Sequence, residues 1–159
     1  GISPDSFVVD AGTGTGYLAI FLANYLSKGK IVTYEKKKEF FKIASDNVKI
    51  SGLKNIFLKN KNISSIAEKN FNLATLDMQN AGKIIKKIFS RLAVGGWLVI
   101  YSPTVEHLSS VVKVLRKLKV AEMKTVENIV REWQVERTIR PKTLGLMHTG
   151  WLTFVRKVL

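Results

Sequence analysis

Three glycines at alternate positions, Gly12, Gly14 and Gly16, are the feature that most limits how this chain can fold. The residues before them, 7–11, form a nearly continuous apolar run, which is typical of a strand buried on both faces of a parallel sheet. Apolar residues then return with helical spacing from Leu18 onward. A strand, a glycine turn and a helix in this order bring backbone N–H groups and a helix N-terminus close to a ligand, and glycine leaves no Cβ in between.

A second apolar run, 31–34, ends at Glu35, about 20 residues after the glycine turn. A carboxylate at the tip of the second strand can accept hydrogen bonds from both hydroxyls of a ribose. The glycine spacing is G-x-G-x-G with Asp10 ahead of it, rather than the G-x-G-x-x-G of nicotinamide enzymes. A glycine-rich turn alone also occurs in ordinary tight turns, so the strand, the helix and Glu35 together predict the nucleoside site.

The composition sets limits on the class of protein. The 159 residues predict one domain over 1–159, and no apolar stretch approaches the ~20 residues that a membrane span needs. The absence of cysteine excludes disulfides and thiolate metal sites, and two histidines cannot form a metal site unaided, so no metal is expected. Residues 1–5 do not resemble a secretory leader, which favours a cytoplasmic location.

The net charge of +14 is the second large feature. Lys and Arg that neutralise phosphates release counterions, so this charge favours a nucleic-acid partner and RNA binding. A lysine-rich proteome whose solvated faces carry excess charge is the alternative interpretation.

Apolar runs and helix-period segments alternate along most of the chain, and the last 40 residues or so lack a helical pattern. This order predicts an α/β, Rossmann-like sheet of seven strands, mostly parallel and finished by a C-terminal antiparallel hairpin. Strands are predicted at about 6–11, 30–35, 56–58, 71–76, 97–101, 123–138 and 150–158, and helices at about 16–27, 36–51, 82–92 and 104–117. Apolar residues of helical spacing are Leu18, Phe21, Leu22, Tyr25 and Leu26 in the first helix, and Phe40, Phe41, Ile43, Ala44, Val48 and Ile50 in the second.

Ligands of such sheets lie at the carboxyl ends of the strands, near the point where the strand order reverses. The glycine turn 12–16, Glu35, Asn62, Asp77 and Tyr101 all end or follow a predicted strand. The sequence therefore predicts that these residues meet at one edge of the sheet.

The glycine turn with Asp10 ahead of it resembles motif I of class I S-adenosylmethionine-dependent methyltransferases, and Glu35 matches their motif II acid. Three further segments resemble the tRNA (adenine-N1) methyltransferase family, which modifies an adenine of the T-loop at position 57 or 58. They are Ala-Val-Gly-Gly-Trp-Leu-Val-Ile-Tyr-Ser-Pro-Thr at 93–104, Arg-Glu-Trp-Gln-Val at 131–135 and Met-His-Thr-Gly-Trp-Leu-Thr-Phe at 147–154. The resemblance covers nearly the whole chain, and the last two segments are the specific ones.

This resemblance implies an enzyme that transfers a methyl group from S-adenosyl-L-methionine to N1 of a tRNA adenine, and a homotetramer. It implies catalytic roles for Asp77 and Tyr101. The residues that it implies for cofactor binding are Asp10, Gly12, Gly14, Thr15, Gly16, Glu35, Lys36, Asn62 and Asp77.

The chain departs from the family pattern in three ways. The family usually has Asp-x-Pro-x-Pro after its fourth strand, whereas residues 77–81 read Asp-Met-Gln-Asn-Ala. Asn62 stands where the family often has an aspartate that meets the cofactor's adenine amino group, and its amide oxygen can still accept that bond. Family members also carry a small β-rich N-terminal domain, and residues 1–4 match the residues just ahead of motif I.

The chemical role expected for Asp77 is to stabilise positive charge on the adenine as N1 is methylated, and to accept a proton from its amino group. The alternative is a helix N-cap ahead of Gly82. Tyr101 either contacts the target base or is an ordinary strand-end aromatic, whereas His148 and Trp133 are expected to be structural.

Two other functions remain open on the sequence. A small-molecule methyltransferase of the precorrin type has a similar motif I. A non-catalytic cofactor-binding or RNA-binding subunit of a methyltransferase complex is the other alternative, although Glu35 and Asp77 are both retained.

Overall fold

A computed structural model describes residues 1–135, 138–142 and 150–158. Its centre is a seven-stranded sheet whose members are joined largely by helices. The strands are β1 (Phe7–Ala11), β2 (Lys30–Tyr34), β3 (Ile56–Lys59), β4 (Phe71–Leu76), β5 (Leu92–Ser102), β6 (Val120–Asn128), β7 (Trp133–Gln134), β8 (Arg140–Pro141) and β9 (Gly150–Lys157). The helices are α1 (Tyr17–Tyr25), α2 (Lys38–Ser51), α3 (Ile85–Arg91) and α4 (Val105–Leu115), with short 3₁₀ turns at Ile63–Ser65 and Ala81–Lys83.

The strand order is β3-β2-β1-β4-β5-β9-β6. Strands β1 to β5 pair in parallel, and β9 pairs antiparallel with both β5 and β6. The predicted α/β fold, with a mostly parallel sheet and a C-terminal antiparallel hairpin, is confirmed. Strands β7 and β8 form a separate two-stranded ribbon.

Two apolar clusters cover the two faces of the sheet. One contains Phe71, Leu98 and Ile100 and extends to α3 and α4, and the other contains Val8 and Ile31 and extends to α1. Side chains of successive residues in a strand point to opposite faces, so continuous apolar runs such as those of β1 and β2 supply both clusters.

Helix α1 begins near the predicted residue, but of its predicted set of large apolar residues only Leu26, which follows the helix, is fully buried. Ala19, Ala23 and Leu26 are buried, whereas Tyr17 is 80% exposed and Phe21 is 65% exposed. The helix packs closely: a Cβ placed on the preceding Gly16 would lie 3.5 Å from the Cβ of Ala44 on α2. Small residues therefore face inward, and the aromatic residues lie outside.

Helix α2 shows the same departure, because Ala44 is its only fully buried residue and Ile50 is largely exposed. The helix also begins at Lys38 rather than at Lys36, since Lys36 and Lys37 belong to the loop after β2.

The long strand predicted over 123–138 is wrong in its bounds. Strand β6 covers Val120–Asn128 and ends there, and Trp133–Gln134 pairs with Arg140–Pro141 instead. The prediction for His148, and residues 147–149 of the segment 147–154, lie outside the described residues.

Register fixes which residues meet at the carboxyl edge of the sheet. Ala11 lies opposite both Tyr34 and Leu76, and Leu76 lies opposite Ile100. The residues that follow these strands therefore lie at one edge of the sheet, with Glu35 and Asp77 on either side of the glycine turn that follows β1. In the part of the chain that the structure describes, no helix combines the length and the apolar character needed to cross a membrane.

Candidate functional site

The glycine turn after β1 has a backbone that residues with side chains rarely adopt. Gly12, Gly14 and Gly16 have φ angles of +93°, +55° and +88°. The N–H groups of Gly12 and Thr13 donate to the Tyr34 carbonyl at 3.1 and 3.3 Å, which fixes the turn to the end of β2. A Cβ at Gly12 would lie 1.8 Å from the backbone oxygen of Asp77, whereas one at Gly14 would meet nothing closer than 3.9 Å.

Asp10 is completely buried and bonded within the sheet. Its carboxylate accepts hydrogen bonds from the hydroxyls of Thr33 on β2 and Thr75 on β4, each at 2.6 Å, and Thr33 also contacts the Thr13 hydroxyl at 2.5 Å. Burial raises the pKa of Asp10, and the two threonine bonds oppose that shift. Asp10 therefore joins three strands beneath the glycine turn, and its carboxylate has partners without any ligand.

Glu35 is held by the backbone on both sides of its carboxylate. Oε2 accepts from the Gly14 N–H at 3.1 Å, and Oε1 accepts from the Lys37 N–H at 2.9 Å. The side chain is buried. Each oxygen keeps a further lone pair, so the carboxylate is oriented and can still accept hydrogen bonds from a ligand.

A cavity of about 300 Å³ opens at this edge of the sheet, the size of small-ligand sites in proteins. Most of the predicted cofactor residues lie on its wall, but Asp10, Thr15 and Gly16 do not. Tyr101, which was predicted to be catalytic, does not line the cavity either. The lining residues are Ala11, Gly12, Gly14, Tyr34, Glu35, Lys36, Lys37, Phe40, Lys61, Asn62, Ile63, Asp77, Met78 and Gln79.

Asn62 lines the cavity and also begins a 3₁₀ turn. Its side-chain oxygen accepts from the Ser64 N–H at 2.9 Å, which is a capping bond. The oxygen keeps one lone pair for another donor. The next residue, Ile63, is buried and gives the cavity an apolar surface.

Asp77 follows β4 directly, and its N–H donates to the Ala11 carbonyl at 2.9 Å. The N-cap alternative for Asp77 is wrong, because the next helical turn starts at Ala81 with Asn80 in the capping position. Asp77 is open to the cavity, yet the surrounding protein raises the pKa of its carboxyl by desolvation, and the charge of His107 opposes this shift.

Tyr101 lies near the end of β5, where Leu76 pairs with the preceding residue, Ile100. Its ring packs against Gly150 so closely that a Cβ there would lie 2.2 Å from Cε2. The ring is thus wedged between β5 and the start of β9, beyond the lining of the cavity.

Two groups of residues in and around the cavity escaped the sequence prediction. Tyr34, Lys59 and Glu68 form a bonded triad, with the Tyr34 hydroxyl and the Lys59 ammonium both donating to the Glu68 carboxylate. Tyr34 and Lys59 each end a strand, which is a pattern that the sequence shows, whereas nothing in the sequence marks Glu68. His107, in the first turn of α4, carried no sequence signal for a role at the site. The lining residues that were missed are Ala11, Tyr34, Lys37, Phe40, Lys61, Ile63, Met78 and Gln79.

Comparison with known proteins gives one family match that covers most of the chain. The family described as tRNA methyltransferase complex GCD14 subunit matches residues 1–148. The chain is 30% identical to the tRNA (adenine(57)-N(1)/adenine(58)-N(1))-methyltransferase TrmI of Methanocaldococcus jannaschii, over 98% of this chain and 66% of that protein. It is 26% identical to the tRNA (adenine(58)-N(1))-methyltransferase TrmI of Thermus thermophilus, over 98% of this chain and 63% of that protein. The chain thus spans slightly less than two thirds of the length of these curated relatives.

Among solved structures, a SAM-dependent O-methyltransferase from Thermotoga maritima superimposes with a TM-score of 0.88. It is 29% identical, and the match covers 97% of this chain and 60% of that one. The whole described sheet, including the antiparallel β9, therefore has a counterpart among methyltransferases.

Proposed function

The chain belongs to the tRNA methyltransferase complex GCD14 subunit family, and we propose that it transfers a methyl group from S-adenosylmethionine to N1 of an adenine in the tRNA T-loop. The observation that carries this proposal is the arrangement of two carboxylates around one cavity. Glu35 follows β2 and is held by the N–H groups of Gly14 and Lys37, and Asp77 follows β4, on the other side of β1.

The residues of the cavity fit the proposed cofactor. Gly14 leaves open space where a side chain would intrude, and both Glu35 oxygens keep lone pairs for the hydroxyls of a ribose. Ile63 and the free lone pair of Asn62 suit an adenine ring and its amino group. S-adenosylmethionine supplies an electrophilic methyl group on a sulfonium.

Asp77 is the residue proposed for catalysis. Methylation at N1 places positive charge on N1, C6 and the amino group of an adenine. A carboxylate bonded to that amino group stabilises the charge and can accept the proton that the amino group releases. Tyr101, which lies near the end of β5 and packs against Gly150, is proposed to limit the space in which the target base can lie.

The net charge of +14 supports tRNA as the substrate, since phosphate contacts supply affinity independent of sequence. A base that is stacked in folded RNA must be extruded before a side chain can reach it, at a cost of a few kcal/mol. The charge is therefore proposed to hold the tRNA while the base is presented to Asp77.

The decisive experiment measures methyl transfer to unmodified tRNA, followed by nucleoside analysis of the product. In single-turnover assays, Asp77→Asn should bind S-adenosylhomocysteine as wild type does and should lose at least ~100-fold in rate, because it keeps the shape but not the charge. Asp46→Asn, on the exposed surface of α2, is the matched control and should keep the full rate. Near wild-type rates with Asp77→Asn contradict the mechanism.

The same assay separates the alternatives. A precorrin-type enzyme would leave tRNA unmodified, and a non-catalytic subunit would bind the cofactor and tRNA without transfer. The family match favours the tRNA reaction over the precorrin reaction.

Three further features are part of the proposal. Residues 1–159 are proposed to form one catalytic domain, the active form is proposed to be a tetramer, and the proposed location is the cytoplasm. Sedimentation of the purified protein tests the tetramer.

A further inference from the structure

His107 lies in the first turn of α4, beside the cavity, and one of its nitrogens is buried without a partner. Its backbone N–H donates to the Thr104 hydroxyl at 3.2 Å, and its Nδ1 contacts the Oγ of the fully buried Ser102 at 3.0 Å. Among the described residues, nothing forms a hydrogen bond with the buried Nε2. A buried polar atom without a partner costs free energy of folding, which points to a functional role for the imidazole.

Asp77 is the carboxylate on which the charge of His107 acts, although the structure shows no hydrogen bond between the two side chains. Strands β4 and β5 pair Leu76 with Ile100, so the residue after Leu76 lies next to the end of β5, where Ser102 anchors the imidazole. The 3₁₀ turn that follows Asp77 also packs on α4, since a Cβ at Gly82 would lie 3.5 Å from the Ser110 carbonyl. The charge of His107 is felt at Asp77, where it opposes the rise in pKa that burial causes.

We propose that His107 is a positioning residue for Asp77: Ser102 holds the imidazole at Nδ1, and Nε2 keeps the carboxylate ionised and turned toward the amino group of the target base. The inference rests on the proposed function, because it assigns Asp77 the role described above. His107 does not itself have to touch the base or the cofactor.

The hydrogen-bonding roles of the two nitrogens are consistent with this. Where the Ser102 hydroxyl donates to Nδ1, the proton of a neutral imidazole lies on Nε2, which then needs an acceptor. Where the imidazole is protonated, both nitrogens donate and the ring carries a positive charge. In these two states Nε2 is a donor, and a carboxylate is the acceptor that suits it. In the remaining neutral tautomer Nδ1–H donates to Ser102 and Nε2 is an acceptor, so the proposal requires one of the first two states.

Other titratable groups lie near His107 and Asp77 and affect how the ionisation of Asp77 depends on pH. Asp10 lies inside β1 and its own pKa is raised in part by the charge of Asp77. Tyr101 precedes Ser102 on β5, and Glu106 adjoins His107 on α4, where it is exposed and bonded to Thr104 and to backbone. The charge of His107 acts on the carboxylate of Asp77, where it lowers the pKa.

The test is His107→Gln, which keeps an N–H donor of similar reach and cannot carry a charge. In the purified protein, carbon NMR of labelled aspartate, assigned with Asp77→Asn, should show a higher pKa for Asp77 in His107→Gln than in wild type. Single-turnover methylation should fall by about tenfold with its acidic limb shifted to higher pH, while affinity for S-adenosylhomocysteine stays within about twofold.

Ser102→Ala should move both readouts in the same direction, because the imidazole loses its anchor, and it serves where His107→Gln fails to fold. Lys113→Gln removes an exposed cation from the same helix and should change neither readout. An unchanged titration of Asp77 in folded His107→Gln or Ser102→Ala overturns this inference. Failure of the wild-type protein to methylate N1 overturns the proposed function instead, since the titration does not depend on turnover.

Discussion

At the scale of single residues, Asp10 is a buried carboxylate that joins three strands beneath the glycine turn. It accepts hydrogen bonds from Thr33 and Thr75 on the two strands that flank β1. Asp10→Ala leaves both buried hydroxyls without this acceptor and should lower the free energy of unfolding by about 1–3 kcal/mol. Asp10→Asn keeps one acceptor oxygen and should cost less. Urea titration of both variants measures the difference.

The contribution of Asp10 to the free energy of unfolding should depend on pH in a definite direction. Burial raises the pKa of Asp10, so the folded protein takes up the proton at a higher pH than the unfolded chain does. Wild type should therefore gain stability relative to Asp10→Asn as the pH falls toward the ordinary aspartate value of 3.8. A stability difference that stays constant over this range contradicts the assignment.

The site was predicted well where a residue ends a strand, and poorly where a residue acts through tertiary contacts. Glu35 and Asp77 were predicted because parallel strands end at one edge. Asp10 was predicted to bind the cofactor, but the sequence could not show that two threonines from other strands enclose it. His107 gave no signal, because its relation to Asp77 depends on how α4 packs.

At the scale of elements, the glycine turn contains two glycines that are required for different reasons. Gly12→Ala should destabilise the protein by at least about 2 kcal/mol, because its φ of +93° is unfavourable and its Cβ would overlap the Asp77 backbone. Gly14→Ala meets open space and should cost about 1 kcal/mol, while its methyl group narrows the cavity and weakens S-adenosylhomocysteine binding by on the order of tenfold. Thermal unfolding and calorimetry separate the two effects, and equal losses of stability would contradict this division.

The triad of Tyr34, Lys59 and Glu68 ties β2 and β3 to the segment before β4. Burial favours the neutral form of Glu68, but the bonds from Lys59 and Tyr34 outweigh it and lower the pKa of Glu68 to about 2. The stabilisation is therefore complete above the ordinary value of 4.5 and is lost as the pH falls toward 2.

Glu68→Gln should lower the free energy of unfolding by about 2–3 kcal/mol at pH 7, and the difference from wild type should shrink between pH 4.5 and 2. The matched control is Glu132→Gln, which removes an exposed pair with Lys142 at 2.7 Å and should have little effect. Denaturant titrations across this pH range provide the measurement. If the difference in free energy of unfolding between Glu68→Gln and wild type did not change with pH, the loss of stability would come from packing and not from the ionised triad.

Helices were predicted better in position than in orientation. The apolar spacing located α1 and α2, but the buried residues are mainly alanines, and Tyr17 and Phe21 are exposed. Periodicity measures where apolar residues recur, whereas the face that packs is decided by how closely two elements approach. Here Gly16 and Ala44 lie in contact distance, which admits only small side chains.

At the scale of the whole molecule, the order of strands and helices along the chain predicted the pairing directions in the sheet better than any single motif did. Alternation of strands and helices over the first 115 residues predicts parallel pairing, and the final strand without a helix predicts the antiparallel β9. The sequence could not show that β6 ends at Asn128, because the mixed apolar and charged pattern continues beyond that residue.

The net charge of +14 is the property of the whole molecule from which the last prediction follows. Binding to tRNA should weaken steeply with salt, because each neutralised phosphate contributes about −0.7 to −0.9 to the log–log slope. Lys37 and Lys61 line the cavity at the carboxyl edge, so replacing both by Gln should reduce the steepness of that slope by about 1.4 to 1.8. Lys28 and Lys54 precede β2 and β3 at the opposite edge, and the same double replacement there should change it less. Filter binding between 50 and 200 mM salt, the range in which such contacts are resolved, provides the measurement. A flat dependence for wild type, or equal effects of the two double variants, would contradict an RNA-binding surface around the cavity.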